Sequence, residues 1–365
     1  MESLEVKRSL IISKVLITGN LGYVGSVLTK YLRSNLLDVN LIGFDLGLFA
    51  NCLITKTISP APEVYLDTQV FKDIRYIDEN DIKGIDKIIH LAAISNDPIG
   101  NQYEKLTYEI NRDASIKLFK LAVKQKVTHF IFASTCSVYG ANDRQNISEN
   151  DSILPLTAYA KSKAEFESFA LSYDAKDTTF TSLRFATACG ASSRIRLDLA
   201  VNDFVVSAYL TKKIVLNSQG NSWRPFIDIE DMCKAIHWSL MRNQDNGSSK
   251  IIINVGSNNQ NYIIKNLAEK ISSHIGNTKV YIKENALSDK RSYKVNFDLF
   301  SKIANPTFLP TNDISSTTKN IINQLNQISY NDIHFRDSNL IRLNVIKKLI
   351  NNKILSNNLE WNIKE

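Results

Sequence analysis

The chain has 365 residues, with 44 Lys plus Arg against 37 Asp plus Glu, a formal charge of +7, 44% hydrophobic and 22% charged residues. These values belong to a globular protein with a sizeable core and exclude a disordered or fibrous chain. The basic residues are interspersed with acids, and the densest groups are pairs (Lys212-Lys213, Lys347-Lys348), so a small phosphorylated ligand fits the excess better than nucleic acid, which demands a clustered basic face.

In chain order, residues 1–14 carry Glu2 and Glu5 and only a brief apolar stretch, too short for a signal-peptide core. Residues 15–17 form a short apolar run. Val24, Val27, Leu28, Tyr31 and Leu32 then fall on one helical face. Further strands are expected at residues 39–44, 64–66, 87–91, 129–133 and 180–185. Helical stripes run through Leu106, Ile110, Ala114, Leu118 and Leu121, and from about Ala158. Strands alternating with helices predict βαβ units and a parallel sheet. The fold class is therefore α/β, a Rossmann-type doubly wound sheet with a smaller C-terminal α/β substrate lobe. The expected division is residues 1–190 for the cofactor domain, with a return segment near 226–256. Residues 191–330 supply the lobe, and 331–365 a helical extension on the spacing of Leu340, Leu343, Ile346 and Ile350. That extension reads as a packed or frayed helix in preference to an oligomer contact. Cys52, Cys136, Cys189 and Cys233 form no C-x-x-C pair, so no metal site and no disulfide framework is expected, and a reduced cytoplasmic setting follows. No run is long enough to span a membrane.

Thr18-Gly19-Asn20-Leu21-Gly22-Tyr23-Val24-Gly25 separates the first strand from the first helix. In that context each glycine has a task. Gly19 permits the tight turn, Gly22 lets backbone approach a pyrophosphate, and Gly25 lets helix and sheet pack closely. The helix N-terminus offers free N–H groups to phosphate. Asp45 ends the second strand twenty residues after Gly25, where a carboxylate accepts from ribose hydroxyls and repels a 2′-phosphate. No Lys or Arg follows before Lys56, which favours NAD over NADP.

Tyr159 and Lys163 stand at i and i+4 on one helical face, and Ala133-Ser134-Thr135-Cys136-Ser137 follows the fifth strand. Together these motifs resemble the extended short-chain dehydrogenase/reductases, the NAD-dependent epimerase/dehydratase family. The resemblance runs over roughly residues 14–325 through Gly19 to Gly25, Asp45, Lys72-Asp73-Ile74, His90-Leu91-Ala92-Ala93, Asn111, Thr135, Tyr159, Lys163 and Trp223-Arg224-Pro225.

The resemblance implies that Tyr159 is the general base or acid, Lys163 holds the phenolate and the nicotinamide ribose, and Thr135 bonds the reacting hydroxyl. A free phenol has a pKa near 10, so it needs such a cation to act at neutral pH. The cofactor contacts it implies are Gly19, Gly22, Tyr23, Val24, Gly25, Asp45, Asp73, Ile74, Leu91, Ala92, Ala93 and Asn111, with Tyr159 and Lys163. Asn111 also resembles a structural residue behind the site. Substrate contacts would be Ser95, Asn96, Thr135, Thr187, Asn202, Arg224 and Arg291, with Arg224 gripping a diphosphate through its planar fork. Arg194 and Arg196, after the sixth strand, are equally nucleotide contacts or solvated charges. His90, Cys136, Cys189 and Tyr139 read as packing residues.

Family 4,6-dehydratases carry Asp-Glu directly after the Thr. Here those positions are Cys136 and Ser137, which disfavours dehydration and leaves 4-epimerisation or plain oxidation to a 4-keto sugar. Residues 193–204 and Asp289-Lys290-Arg291-Ser292-Tyr293 are similar to a subgroup that includes a bacterial GDP-heptose 4-dehydrogenase of capsule synthesis, while the Arg-x-Gly-Asp of many epimerases is absent. The expected partner is a nucleotide-diphosphate sugar, with a homodimer through the helices carrying Asn111 and Tyr159. The alternatives are a non-catalytic NAD sensor or scaffold, which commonly loses Tyr or Lys, and an RNA-binding protein on the same fold.

Overall fold

The computed structural model describes residues 13–54, 60–95, 97–142 and 144–362. Strand β1 (Ser13–Thr18) runs into helix α1 (Tyr23–Asn35), then β2 (Val39–Asp45), β3 (Thr68–Phe71) and β4 (Lys87–His90). Helix α2 (Ala114–Lys124) precedes β5 (His129–Thr135), and α3 (Ala158–Ser172) precedes β6 (Thr179–Phe185). Beyond these lie β7 (Thr187–Cys189), α4 (Ala200–Thr211), β8 (Lys213–Ser218), β9 (Trp223–Asp228), α5 (Ile229–Met241) and β10 (Lys250–Val255). The chain continues with β11 (Asn261–Ile263), α6 (Ile264–Ser273), β12 (Lys279–Leu287), α7 (Ile314–Gln327) and α8 (Arg342–Asn351).

Seven strands form one parallel sheet in the order β3-β2-β1-β4-β5-β6-β10. The chain leaves β1 towards β2 on one side and resumes with β4 on the other, so a crevice opens at the carboxyl ends of β1 and β4. The strands alternate their side chains between two cores. Val15 and Ile17 pack with Leu28 and Leu32 of α1 and Ile236 of α5. Leu16 packs on the other face with Ile88, Phe119, Phe130 and Phe166. Burial on both faces is why these parallel strands read as continuous apolar runs. Around the lobe, α4, α6 and α7 bury Val205, Leu267 and Ile321 in a third core. Two small sheets, β11-β9-β7 and β12-β8, complete it.

Three expectations are corrected. The strand placed at residues 64–66 is a 3-10 turn, Pro62–Tyr65, and β3 follows it. Pro62 at the first helical position pre-sets φ for a turn, and β3 is a half-exposed edge strand that lacks the apolar signature. The stripe from Leu106 to Leu121 is not one α-helix. A π-helical turn, Glu109–Asp113, interrupts it and carries Asn111. Among the described residues after 330, helix is confined to the 3-10 turn Phe335–Asp337 and α8, which is followed by a turn closed by an isolated antiparallel bridge between Leu355 and Trp361.

A buried ion pair fixes α3, which carries Tyr159 and Lys163, against the sheet. Arg184 of β6 donates to both Glu167 oxygens, from Nε at 3.2 and 3.1 Å and from Nη2 at 2.8 Å. Ser182 Oγ donates to Glu167 at 2.8 Å, and Arg184 Nη1 donates to Tyr139 Oη, which donates to Asn254 of β10. Glu167 is 1% exposed. Truncating one member of such a pair strands the other charge and costs about 3–5 kcal/mol. Glu167→Ala should therefore lower the denaturant midpoint by a comparable stability loss, while a loss within about 1 kcal/mol, the range of exposed pairs, would show that the pair does not anchor α3.

Candidate active site

The chain turns out of β1 at Gly19, whose φ of 76° is open to glycine at little cost. Its N–H donates to Phe44 O at 2.9 Å. A Cβ on Gly19 would stand 2.6 Å from Ala92 N, and one on Gly25 would stand 2.5 Å from Asn20. Both positions therefore exclude any side chain. At Gly22 the nearest atom to such a Cβ is Gly19 O at 3.1 Å, so its free side is open. Gly22 is the N-cap of α1, no side chain caps it, and no acid stands in the first turn. The positive end of the helix dipole is thus left for an anion.

These residues line one cavity of about 610 Å³ at the crevice. Gly19, Gly22, Tyr23, Val24, Gly25, Asp45, Asp73, Ile74, Leu91, Ala92 and Ala93 all face it, as do Ser95, Thr135, Tyr159, Lys163, Thr187, Arg224 and Arg291. Asp45 accepts from Leu21 N at 3.1 Å and Gly47 N at 2.8 Å, and burial holds its carboxyl above the ordinary range. The Asp73 carboxylate is held by Arg75, with Nε at 3.0 Å and Nη2 at 2.6 Å, which fixes the adjacent Ile74 backbone.

At the other end, Thr135 closes β5. Its Oγ1 donates to Ser137 Oγ at 3.0 Å and accepts from Ser137 N at 3.1 Å. Ser137 Oγ lies 3.4 Å from Tyr293 Oη, and the Arg224 guanidinium lies 4.8 Å above the Tyr293 ring. Arg224 donates to Asp289 at 3.0 Å and to Arg291 O, while Arg291 itself bonds Asp289 at 3.0 and 2.9 Å. Lys163 is 2% exposed and donates to Ala133 O at 2.8 Å. Burial brings its ammonium down to about 7, only partly offset by Glu167. Tyr159, half-buried on the first turn of α3, lies close enough to Arg196 for the two to interact electrostatically.

Two expected ligand contacts are corrected, and a third falls outside the structure. Asn111 is fully buried and away from the cavity. Its amide donates to Ile94 O at 2.9 Å and Ser162 Oγ at 3.3 Å and accepts from Ile94 N at 2.8 Å, so it pins the loop after β4 to α3. Asn202 is likewise buried, accepting from Gly190 N at 3.0 Å and donating to Arg196 O at 2.9 Å and Tyr23 Oη at 3.2 Å. With every amide atom engaged inside the protein, neither has a group to offer a ligand. Asn96 lies outside the described residues. Arg194 is 1% exposed and bound to Ala50 O and Glu63, so it is a structural charge. Arg196 does face the cavity, paired with Asp198 at 2.7 Å and with Ser95 Oγ at 2.9 Å.

His90 bonds Thr18 Oγ1 at 2.7 Å and Ser115 Oγ at 2.8 Å, and burial with the Lys163 charge pushes it down to about 3, so it is neutral and structural. Cys136 is buried with Sγ against Arg184 O. Ser137, Tyr293, Asp198 and Asp289 also line the cavity, although the sequence assigned none of them a ligand contact. Only their position beside Thr135, Arg194 and Arg291 pointed to them.

The NAD dependent epimerase/dehydratase family model matches residues 15–256. The chain belongs to that family. As a family member its cofactor is NAD, and the glycine turn, the uncapped α1 terminus and Asp45 suit a dinucleotide. Over 85% of its length it is 25% identical to a putative UDP-glucose 4-epimerase of Methanocaldococcus jannaschii, covering 97% of that protein. Among solved structures, a UDP-N-acetylglucosamine 4-epimerase from Methanobrevibacter ruminantium M1 has a TM-score of 0.70 at 24% identity, with 86% of this chain covering 99% of that one. The NDP-hexosamine 5,6-dehydratase TunA has a TM-score of 0.72 at 19% identity, with 86% of this chain covering 98% of that one. These two share the fold. No described helix is long and apolar enough to cross a membrane.

The buried Lys163 gives this site a pH signature. An unfolded lysine titrates near 10.5, whereas the folded one titrates at about 7. Between those values the unfolded chain binds more protons, so stability falls as pH drops through that window and then levels off. Lys163→Met removes this component. The melting temperature of Lys163→Met relative to the unsubstituted protein should rise as pH falls from about 10 to about 7, and then stay level. A difference independent of pH would contradict the burial account.

Proposed function

We propose that the protein is an NAD-dependent nucleotide-sugar oxidoreductase that oxidises a sugar hydroxyl at C4, as a 4-epimerase or a 4-dehydrogenase, in the synthesis of a surface polysaccharide or other glycan precursor. One observation carries this reading: a single cavity joins the dinucleotide turn to Thr135, Tyr159 and Lys163 at one end of β5 and to Arg224 and Arg291 beyond it. When bound, NAD supplies the hydride acceptor. Thr135 Oγ1 positions the sugar hydroxyl, and Tyr159 takes its proton as the carbon is oxidised. Lys163 stabilises the resulting phenolate by charge and hydrogen bonding. Arg224 and Arg291, aligned through Asp289, offer guanidinium forks to the diphosphate. Re-reduction on the opposite face gives the epimer, and release of the keto sugar gives the dehydrogenase outcome. The relatives named as 4-epimerases support this class of reaction.

Oxidation without elimination is favoured by the residues after Thr135. Cys136 is sealed behind the sheet and Ser137 is a hydroxyl, so neither offers the carboxyl pair that protonates and expels a sugar hydroxyl. Asp198 and Asp289 face the cavity, but Arg196, Arg224 and Arg291 hold them as carboxylates. The similarity to the GDP-heptose 4-dehydrogenase subgroup makes a GDP-linked heptose one candidate beside UDP-linked hexoses.

The test is a panel of GDP-, UDP-, CDP- and dTDP-sugars, followed by NADH absorbance and product mass. An epimer or a keto sugar is expected, and a product lighter by one water would overturn the assignment. Tyr159→Phe should cut turnover by about 10²–10⁴, the usual worth of a general acid–base group, while still binding NAD. Near-normal turnover in that variant would refute the mechanism.

A further inference from the structure

The cavity has a wall that lies beyond the family match, which ends at residue 256. Arg342 and Ile346 of α8 and Leu359 line it alongside Leu48, Phe49, Asp45 and Ile74. We propose that residues 335–362 form a strap that closes the adenosine half of the NAD site and holds the dinucleotide between turnovers. The inference rests on the use of NAD and is independent of the sugar substrate.

The strap meets the crevice at both adenosine landmarks. The carboxylate ending β2 is the ribose partner in folds of this kind. Next to it, Trp361 Nε1 donates to Leu46 O at 2.8 Å, and Asn339 Nδ2 donates to Asn51 O at 3.1 Å. The other landmark is the Asp73-Ile74 turn, which lines the same cavity and which the family resemblance implies as the adenine contact. There Tyr76 Oη donates to Glu360, and Arg75 Nη2 lies 3.9 Å from the same carboxylate. At its root the strap is tied to the backbone after β7. Leu197 N donates to Leu340 O at 3.1 Å, and Arg342 Nη2 donates to Arg194 O at 2.6 Å. Arg342 is 3% exposed, so its guanidinium anchors the strap by hydrogen bonds instead of greeting a phosphate.

An apolar cluster of its own glues the strap down. Ile346, Leu355 and Leu359 pack with Ile94, Ile99 and Leu106, and Phe49 and Trp361 flank them. Leu359 is 1% exposed and has a φ of 58°. A left-handed backbone disfavours a leucine, and burying its side chain offsets that cost. Leu359 is thus held inward against its backbone preference, and the direction is towards the cavity. The loops it bridges, after β2 and after β4, flank the glycine turn on either side of β1. A dinucleotide whose adenosine lies under this strap leaves only after the strap lifts.

The experiment compares the full chain, a chain lacking residues 331–365, and Trp361→Ala. NADH release is followed by fluorescence, and ADP-ribose, which carries the adenosine half without nicotinamide, serves as competitor. Both variants should release NADH about tenfold faster, the factor that 1.4 kcal/mol of lost contact produces, and should bind ADP-ribose more weakly by a similar factor. Circular dichroism and melting identify the folded variants. If the shortened chain does not fold, Trp361→Ala decides by the same criteria, because its half-buried ring leaves the main cores intact. Release and ADP-ribose binding unchanged from the full chain would overturn the strap. Faster NADH release with unchanged ADP-ribose binding would overturn its assignment to the adenosine half.

Discussion

The site depends on the turn at Gly19. The chain must leave β1 within van der Waals reach of Ala92 and fold α1 back against Asn20, so that helix N-terminus, second strand and fourth strand converge on one opening. No residue with a Cβ satisfies that geometry at Gly19 or Gly25 without displacing backbone. Once it is met, the rest follows from the sheet. β2 delivers Asp45, β4 delivers the Leu91-Ala92-Ala93 floor, and β5 delivers Thr135 to the same edge. The topological switch between β1 and β4 is what keeps that edge open.

Charge is distributed around this opening with its desolvation compensated. Glu167 and Arg184 neutralise each other under α3, and Asp289 aligns Arg224 and Arg291. Arg196 pairs with Asp198 near Tyr159. Lys163 is the exception. It lies buried with its ammonium bonded to Ala133 O and set over the Phe132 ring, and with Glu167 as a more distant opposing charge. A lysine held near its own titration point responds strongly to a phenolate forming beside it, since each charge favours the other. His90, kept neutral by the same burial, adds no competing charge. The basic groups around the opening are thus a few arginines with fixed carboxylate partners and one lysine poised by burial.

What the sequence made legible follows from physical strength of signal. β1, β5 and β6 are buried on both faces and write themselves as apolar runs. The glycine turn and the i, i+4 spacing of Tyr159 and Lys163 are local constraints that survive without tertiary context. β3 was misplaced because an edge strand with half-exposed residues carries no such run, and the nearby Val64 belongs to a proline-started turn. The family resemblance offered Asn111 and Asn202 as ligand contacts, and Asn111 also as a structural residue; an amide suits either a ligand or a loop, and only the observed partners distinguish the two. The strap illustrates the same limit. Helical spacing announced that Ile346 would be buried, but spacing does not say against what, and its partners Ile94 and Ile99 lie some 250 residues earlier in the chain.

The central claim is that the sugar carbon is oxidised inside this cavity at C4. The most direct measurement is a single turnover with a nucleotide-sugar carrying deuterium at C4, quenched and examined for the location of the label. The account predicts deuterium on the nicotinamide ring, with a slowed oxidation step and no transfer in Tyr159→Phe. Product formed with all deuterium retained at C4, and no label on the nicotinamide at any time, would contradict it.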